Sequence, residues 1–267
     1  MSYLSPLLTM MVSVVKRATS NLDRDFSELE RLQSSVRPYQ NFVANSYNKV
    51  AQNLRVELGR VKPDAQFIEK NVEEVPAEGS CFLVNPIDGL SNFSRGIPMF
   101  ATTVAYCESG DVRAVVIYNR GSDELFFAEK GNGAFKEGFR NYERLRVSAN
   151  KDESQALLMV QNGYEVGSEE YNAVQHKIAK FSSQIRNFGA VSIGMAYTAA
   201  GKADMALCFG GSKNSVVAGL LLVKEAGGYL YDLSMKKIAP AKADKILNSP
   251  NLVAANTGLE NLVKKFK

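Results

Sequence analysis

The chain predicts a layered fold of mixed helices and strands, α/β or α+β. Helix-spaced and strand-like blocks alternate, with the strands gathered largely in the middle. Between Pro98 and Phe135, short apolar runs are punctuated by Gly-containing turns, the pattern of an antiparallel meander. At 267 residues and 45% hydrophobic content, the chain can bury a large core, in one domain or two closely joined lobes.

In order, residues 4–33 carry helical spacing through Leu7, Leu8, Met11, Val14, Val15, Ala18, Leu22, Phe26 and Leu29. A break at Arg37-Pro38-Tyr39 precedes a second helix from about Phe42 to Leu58, expected to end at Gly59 and Pro63. Ala65–Ile68 reads as a short strand, and residues 71–80 as a polar, acidic loop. Cys81-Phe82-Leu83-Val84 reads as a buried strand stopped by Asn85-Pro86. The meander strands follow at residues 101–106, 112–118, 124–128 and 131–135. Its glycines are read as turn residues; no helix follows them, so a nucleotide-binding loop is excluded.

Composition shifts near residues 147–151, where a lobe boundary is placed within a single domain spanning 1–267: an N-terminal lobe 1–150 and a C-terminal lobe 151–267. Ala156–Val160 reads as a strand and Glu169–Phe181 as a helix. A second helix starts at Gly189-Ala190-Val191-Ser192 and ends at Gly201. Met205–Phe209 reads as a strand broken by Gly210-Gly211, and Val216–Ala226 as a strongly apolar helix capped by Gly227-Gly228. Tyr229-Leu230-Tyr231 is expected as the last strand, before a Lys-rich end.

Net charge is +4, with both signs spread along the chain, which gives nucleic-acid binding little specific support. The C-terminal Lys264, Lys265 and Lys267 read as a solvated end. Cys81, Cys107 and Cys208 stand far apart with no disulfide framework, which fits a cytoplasmic setting. The single histidine, His176, excludes a His-based triad or zinc cluster and is expected at the surface. The apolar opening has no positive segment before it, so neither a signal peptide nor a membrane partner is expected.

The chemically informative stretch is Leu83–Phe93. Asp88-Gly89 is expected to form a tight turn with a carboxylate at its tip, where amides and carboxylate together suit a metal and a phosphate. The plainer alternative is a strand-to-turn junction with Asp88 bonded to its own loop. This stretch resembles the first signature of the inositol monophosphatase family, D-P-I/L-D-G-T-x-N-F, in Pro86, Ile87, Asp88, Gly89, Asn92 and Phe93. It departs at Asn85, where the family has Asp, and at Leu90, where it has Thr.

The resemblance extends over roughly residues 40–235, through the Gly96–Phe135 meander, Leu145–Ser148, Gly189–Ser192 and Val216–Gly228. It implies an α-β-α-β-α sandwich, a homodimer, and magnesium-dependent hydrolysis of phosphate monoesters such as inositol monophosphate. Carried over position by position, Asp88, Asn85 and the Ile87 carbonyl fall at metal positions, with Asp88 the remaining catalytic carboxylate. Other ligand positions fall at Lys70 and Ser215, and a more N-terminal acidic position near Tyr47. Gly89, Leu90, Gly189, Ala190, Cys208 and Ser215 fall at substrate-binding positions. The alignment is gap-free at Asn85, Leu90 and Ser215; at Lys70 and Tyr47 it admits a shift of a residue or two, which leaves Glu69 or Glu73 as replacement ligands. Against Glu69, neighbouring strand residues face opposite ways.

So depleted a ligand set predicts weak or absent magnesium and a pseudoenzyme that acts as a binding or regulatory protein. For Lys70 two readings stand: an ion pair with Asp88 in the cation's place, or a lysine turned to solvent. The alternatives are an active magnesium-dependent phosphatase with rebuilt ligands and a structural, assembly-forming protein. The expected partners are a phosphorylated small molecule, a second copy of the chain, or a protein or RNA.

Overall fold

In the computed structural model, residues 4–32, 39–69, 75–179, 184–232, 251–259 and 261–262 are described. The N-terminal helical spacing builds α1 (Pro6–Ala18), opened by the Ser5 hydroxyl, which accepts from Leu8 N–H, and by Pro6 in the first turn. The continuous helix expected over 4–33 is broken. The Thr19 hydroxyl donates back to the Val15 carbonyl at 2.8 Å, and a second helix, α2 (Leu22–Leu32), restarts beyond Asn21. α3 (Gln40–Val61) runs through Gly59, which was expected to end it. An interior glycine costs a helix only about 1 kcal/mol. Pro63 is the effective stop, since it disfavours helical backbone at Lys62.

Seven strands form the first sheet, in sequence order: β1 (Gln66–Ile68), β2 (Ser80–Asp88), β3 (Ala101–Glu108), β4 (Asp111–Asn119), β5 (Glu124–Glu129), β6 (Gly133–Glu137) and β7 (Tyr142–Arg144). β1 and β2 are parallel; the remaining pairs form the antiparallel meander. β2 does not stop at Pro86. It continues to Asp88 through a register shift between Asn85 and Asp88. A proline cannot donate to a ladder, and a bulge is where a strand can carry one. Beyond Gly89, a short helix, α4 (Leu90–Ser94), stands where only a turn was expected.

The second sheet comprises β8 (Leu157–Asn162), β9 (Gln184–Arg186), β10 (Met205–Phe209), β11 (Tyr229–Asp232) and β12 (Asn251–Ala255), ordered β11-β12-β10-β8-β9. Among the described residues β12, not β11, is the last strand. Its run Leu252-Val253-Ala254-Ala255 lies beyond the Lys-rich stretch and inserts between β11 and β10, antiparallel to both. Three more helices are α5 (Glu169–Ile178), α6 (Val191–Ala199) and α7 (Lys213–Glu225). α7 starts at Lys213, ahead of the apolar run from Val216, so Asn214 and Ser215 lie in its first turn.

Packing places these elements in five layers. α1–α3 cover one face of the first sheet, with Met11, Val15 and Leu54 against Phe82, Val116 and Phe127. The other face, through Leu83, Ile117 and Phe126, meets α6 and α7. These two helices lie between the sheets, so nearly every side chain is buried and neither shows a polar face. α5 closes the far side, Val174 and Ile178 packing on Leu158, Leu207 and Val253. The result is an α-β-α-β-α sandwich. Among the described residues, no helix is long and apolar enough to cross a membrane.

Candidate functional site

The bulged end of β2 meets the start of α4 and the N-terminal turns of α6 and α7. Gly89 sits at φ +79°, and an added Cβ would lie 2.7 Å from the Met99 carbonyl and 3.0 Å from the Ala190 Cβ. Only glycine meets both requirements. The close approach that Gly89 allows is thus to the protein's own chain. The Asn92 amide donates to the Phe188 carbonyl at 2.5 Å and to the Met99 carbonyl at 2.7 Å, drawing the Gly189 segment against α4. Asn85, Ile87, Asp88, Gly89, Gly189, Ala190, Cys208 and Ser215 are gathered here.

Asp88 is not at the tip of an exposed turn. It ends β2, is 7% exposed, and accepts from the Ser192 amide at 2.9 Å and the Ser192 hydroxyl at 2.5 Å. Its main partner is therefore the first turn of α6, whose dipole favours a negative charge there. Burial pushes the Asp88 carboxyl above its ordinary value, against the pull of Ser192, the Ser215 hydroxyl and the Gly89 amide. Cys208 is buried, and its thiol is pushed up by burial and by the charge of Asp88. It is a poorly ionising group in this position.

Asn85 is half-buried and donates to the Ser215 hydroxyl at 2.9 Å and the Ser212 hydroxyl at 3.3 Å. Sequence reasoning missed the role of Asn214. Its buried amide donates to the carbonyls of Val84 (2.8 Å), Glu69 (3.0 Å) and Ile68 (3.2 Å), fastening α7 to the ends of β1 and to β2. The signal was a polar Asn-Ser pair just ahead of the apolar run Val216–Val223. Ser192 was also missed as a site residue, although a hydroxyl in the first turn of a helix is a ready donor to a buried carboxylate.

Leu90, 39% exposed, lines a cleft of about 640 Å³ with Tyr39, Val43 and Tyr47. Burial first, then the charge of Glu69 and a hydrogen bond to it, push the Tyr47 phenol upward. Glu69 also lies 3.7 Å from the Arg55 guanidinium, which covers the Phe67 ring. Its carboxylate is thus committed to Tyr47 and Arg55. Lys70 and Glu73, and with them the expected Lys70–Asp88 pair, lie outside the described residues, as do Lys264, Lys265 and Lys267. His176 is exposed on α5. Among the described residues, no three His, Cys, Asp or Glu side chains are gathered as a cation cage needs.

The inositol monophosphatase family model matches residues 3–267. The chain belongs to the inositol monophosphatase family. This family member is 34% identical over 234 residues to an inositol-1-monophosphatase of Rhizobium meliloti, covering 85% of this chain and 86% of that one. It is 30% identical to a protein named Nus factor SuhB from Xylella fastidiosa, covering 94% of this chain and 90% of that one. Among solved structures, it resembles the extragenic suppressor protein suhB of Bartonella henselae, with a TM-score of 0.81, 30% identity, and coverage of 98% of this chain and 99% of that one. Within this inositol monophosphatase family member, the signature-bearing end of β2 and the first turn of α7 meet in space as the Asn85–Ser215 hydrogen bond.

Proposed function

We propose that this family member has given up metal-assisted phosphate ester hydrolysis and serves as a binding or regulatory protein. The observation that carries the proposal is the pairing of Asn85 with Ser215: an amide and a hydroxyl face each other beside Asp88, the only side-chain carboxylate there among the described residues. Magnesium takes hard, preferably charged oxygen ligands, and its affinity follows their charge. Among the described residues a single carboxylate, itself bonded to Ser192, stands here, and that set does not fit the ion. Leu90 has no hydroxyl with which to orient a water.

The same geometry disfavours a phosphorylated ligand at Gly189-Ala190. The Ser192 amide is already donated to Asp88, and a second anion would meet that carboxylate with no cation between them among the described residues. Relatives named Nus factor SuhB support a regulatory role with a macromolecular partner. We further place the chain in the cytoplasm as a homodimer, for which light scattering on the purified protein is the direct test.

The decisive experiment is turnover of inositol monophosphate and of an aryl phosphate with magnesium titrated, beside Asp88→Ala. Turnover at the level of that control, with no heat of magnesium binding, is expected. Magnesium-dependent turnover abolished by Asp88→Ala would establish the second reading, an active phosphatase. The relatives named inositol-1-monophosphatase and the retained Asp88 favour that reading.

A further inference from the structure

An isolated buried carboxylate is expensive to hold in a protein. A bound cation is one remedy, and oriented neutral donors are another. At the end of β2, the second remedy is in place. Asp88 accepts from the amide and hydroxyl of Ser192 at the start of α6, and from the Ser215 hydroxyl of α7. Asn85, on the near side of the bulge, donates to Ser215 at 2.9 Å and to Ser212 at 3.3 Å. One strand end is therefore tied by side chains to both helices that lie between the sheets.

The residue types are mutually consistent. A carboxylate at position 85 or 215 would stand beside Asp88 and repel it in the absence of a cation. Instead, the Asn85 amide donates to the Ser215 hydroxyl, and that hydroxyl donates to Asp88, the one carboxylate here among the described residues. Ser215 is fully buried, so its hydroxyl needs partners, and Asn85 and Asp88 supply them. Nearby, Asn214 spends its amide on three carbonyls of β1, β2 and the residue after β1. The first turn of α7 is thus built to grip the sheet directly.

We propose that Asn85, Ser192, Ser212 and Ser215 form a metal-free clasp around Asp88. The clasp holds β2, α6 and α7 in the arrangement that a shared cation would otherwise impose, so the folded shape does not depend on divalent metal. The inference rests on the proposed loss of metal-assisted chemistry and concerns what replaces the cation.

Thermal unfolding of the full-length protein in EDTA and in excess magnesium tests it. The wild-type midpoint is expected to be the same in both. Asn85→Ala and Ser215→Ala should each lower it by about 2–4 °C, and the double variant by less than the sum, because both single changes remove the same bond. Asn85→Asp combined with Ser215→Asp places two more carboxylates at Asp88. That variant should melt below wild type in EDTA and recover with magnesium.

A wild-type midpoint that rises with magnesium would sink the loss-of-metal reading and the clasp with it. A magnesium-indifferent wild type whose Asn85→Ala and Ser215→Ala variants are silent or strictly additive would overturn the clasp alone. A folded double-aspartate variant that ignores magnesium would show that Asn85 and Ser215 do not stand where a cation would bind.

Discussion

Changing Glu124 to Gln should loosen α6 from the first sheet, and the effect should depend on pH. Glu124 opens β5, and its side chain is 12% exposed. Its carboxylate accepts from Lys202 Nζ at 2.6 Å, Lys136 Nζ at 2.8 Å and the Tyr197 hydroxyl at 2.8 Å. Tyr197 belongs to α6 and Lys202 follows it, so the network joins sheet to helix. Burial works to raise the Glu124 carboxyl, but the three donors outweigh it and hold the group at about 2 instead of 4.5. At about 1.4 kcal/mol per pH unit, that fall corresponds to about 3 kcal/mol. Lys202 is 43% exposed, so solvent screening reduces this to about 2 kcal/mol. For a chain of this size, Glu124→Gln should lower the melting midpoint by about 4–8 °C at neutral pH.

A carboxyl held below its unfolded value stabilises the fold fully above the unfolded pKa, and that stability fades as pH falls toward the folded one. The gap between wild type and Glu124→Gln should therefore be constant near neutrality. It should begin to close below about pH 4.5 and be less than half its size by about pH 3. Circular dichroism melts across this range measure it. A gap that is absent at neutral pH, or unchanged in acid, would refute the reasoning.

Asp88 should behave in the opposite sense, because its folded carboxyl is raised by burial: the fold favours the protonated form, and stability falls as pH rises through the folded pKa. Asp88→Asn, which keeps an acceptor for Ser192 without the charge, should match or exceed wild-type stability at neutral pH, with the advantage closing in acid. Asp88→Ala orphans the Ser192 amide and hydroxyl and takes an acceptor from Ser215, and should lose about 2–4 kcal/mol; denaturant titrations at several pH values report both variants. Gly219→Ala should destabilise by about 1–3 kcal/mol, since the new Cβ would lie 2.6 Å from the Met195 Cβ and force α6 and α7 apart. Its melting midpoint checks this, and a wild-type midpoint would show that the helices can shift.

Much of the architecture was legible because burial leaves periodic marks. The meander reads from its alternating apolar runs and Gly turns, and these turns sit where β3–β6 connect. α6 and α7 read as apolar because a helix between two sheets has no wet face. The misreadings occur where local signals mislead or tertiary context decides. Pro86 looked like a stop because a regular ladder excludes proline, and only the register shift shows that β2 absorbs it. Gly59 looked like a helix end, yet packing of Leu54 and Leu58 carries α3 through it. β12 is a short apolar run whose partners precede it in the chain, and nothing local announces that pairing.

At the site, residue types were legible and partners were not. Asp88 and Asn85 stand out from the stretch they share, but Ser192 lies 104 positions beyond Asp88, and Ser215 lies 130 beyond Asn85. Only folding reveals that one takes the charge and the other the amide. The same geometry implies that a change of residue type at these positions would leave the fold intact. Asn85, Asp88 and Ser215 sit at a strand end and at helix starts, outside the apolar clusters that hold the five layers together. A carboxylate there can become an amide or a hydroxyl without opening a cavity, provided each new donor finds an acceptor. Asn85 finds Ser215, and Ser215 finds Asp88. Chemistry and scaffold are thus physically separable in this chain. The site's charge can be dismantled at the cost of a few hydrogen bonds, while the stability that matters resides in the sheets, α6 and α7, and contacts such as Glu124 with Lys136 and Lys202.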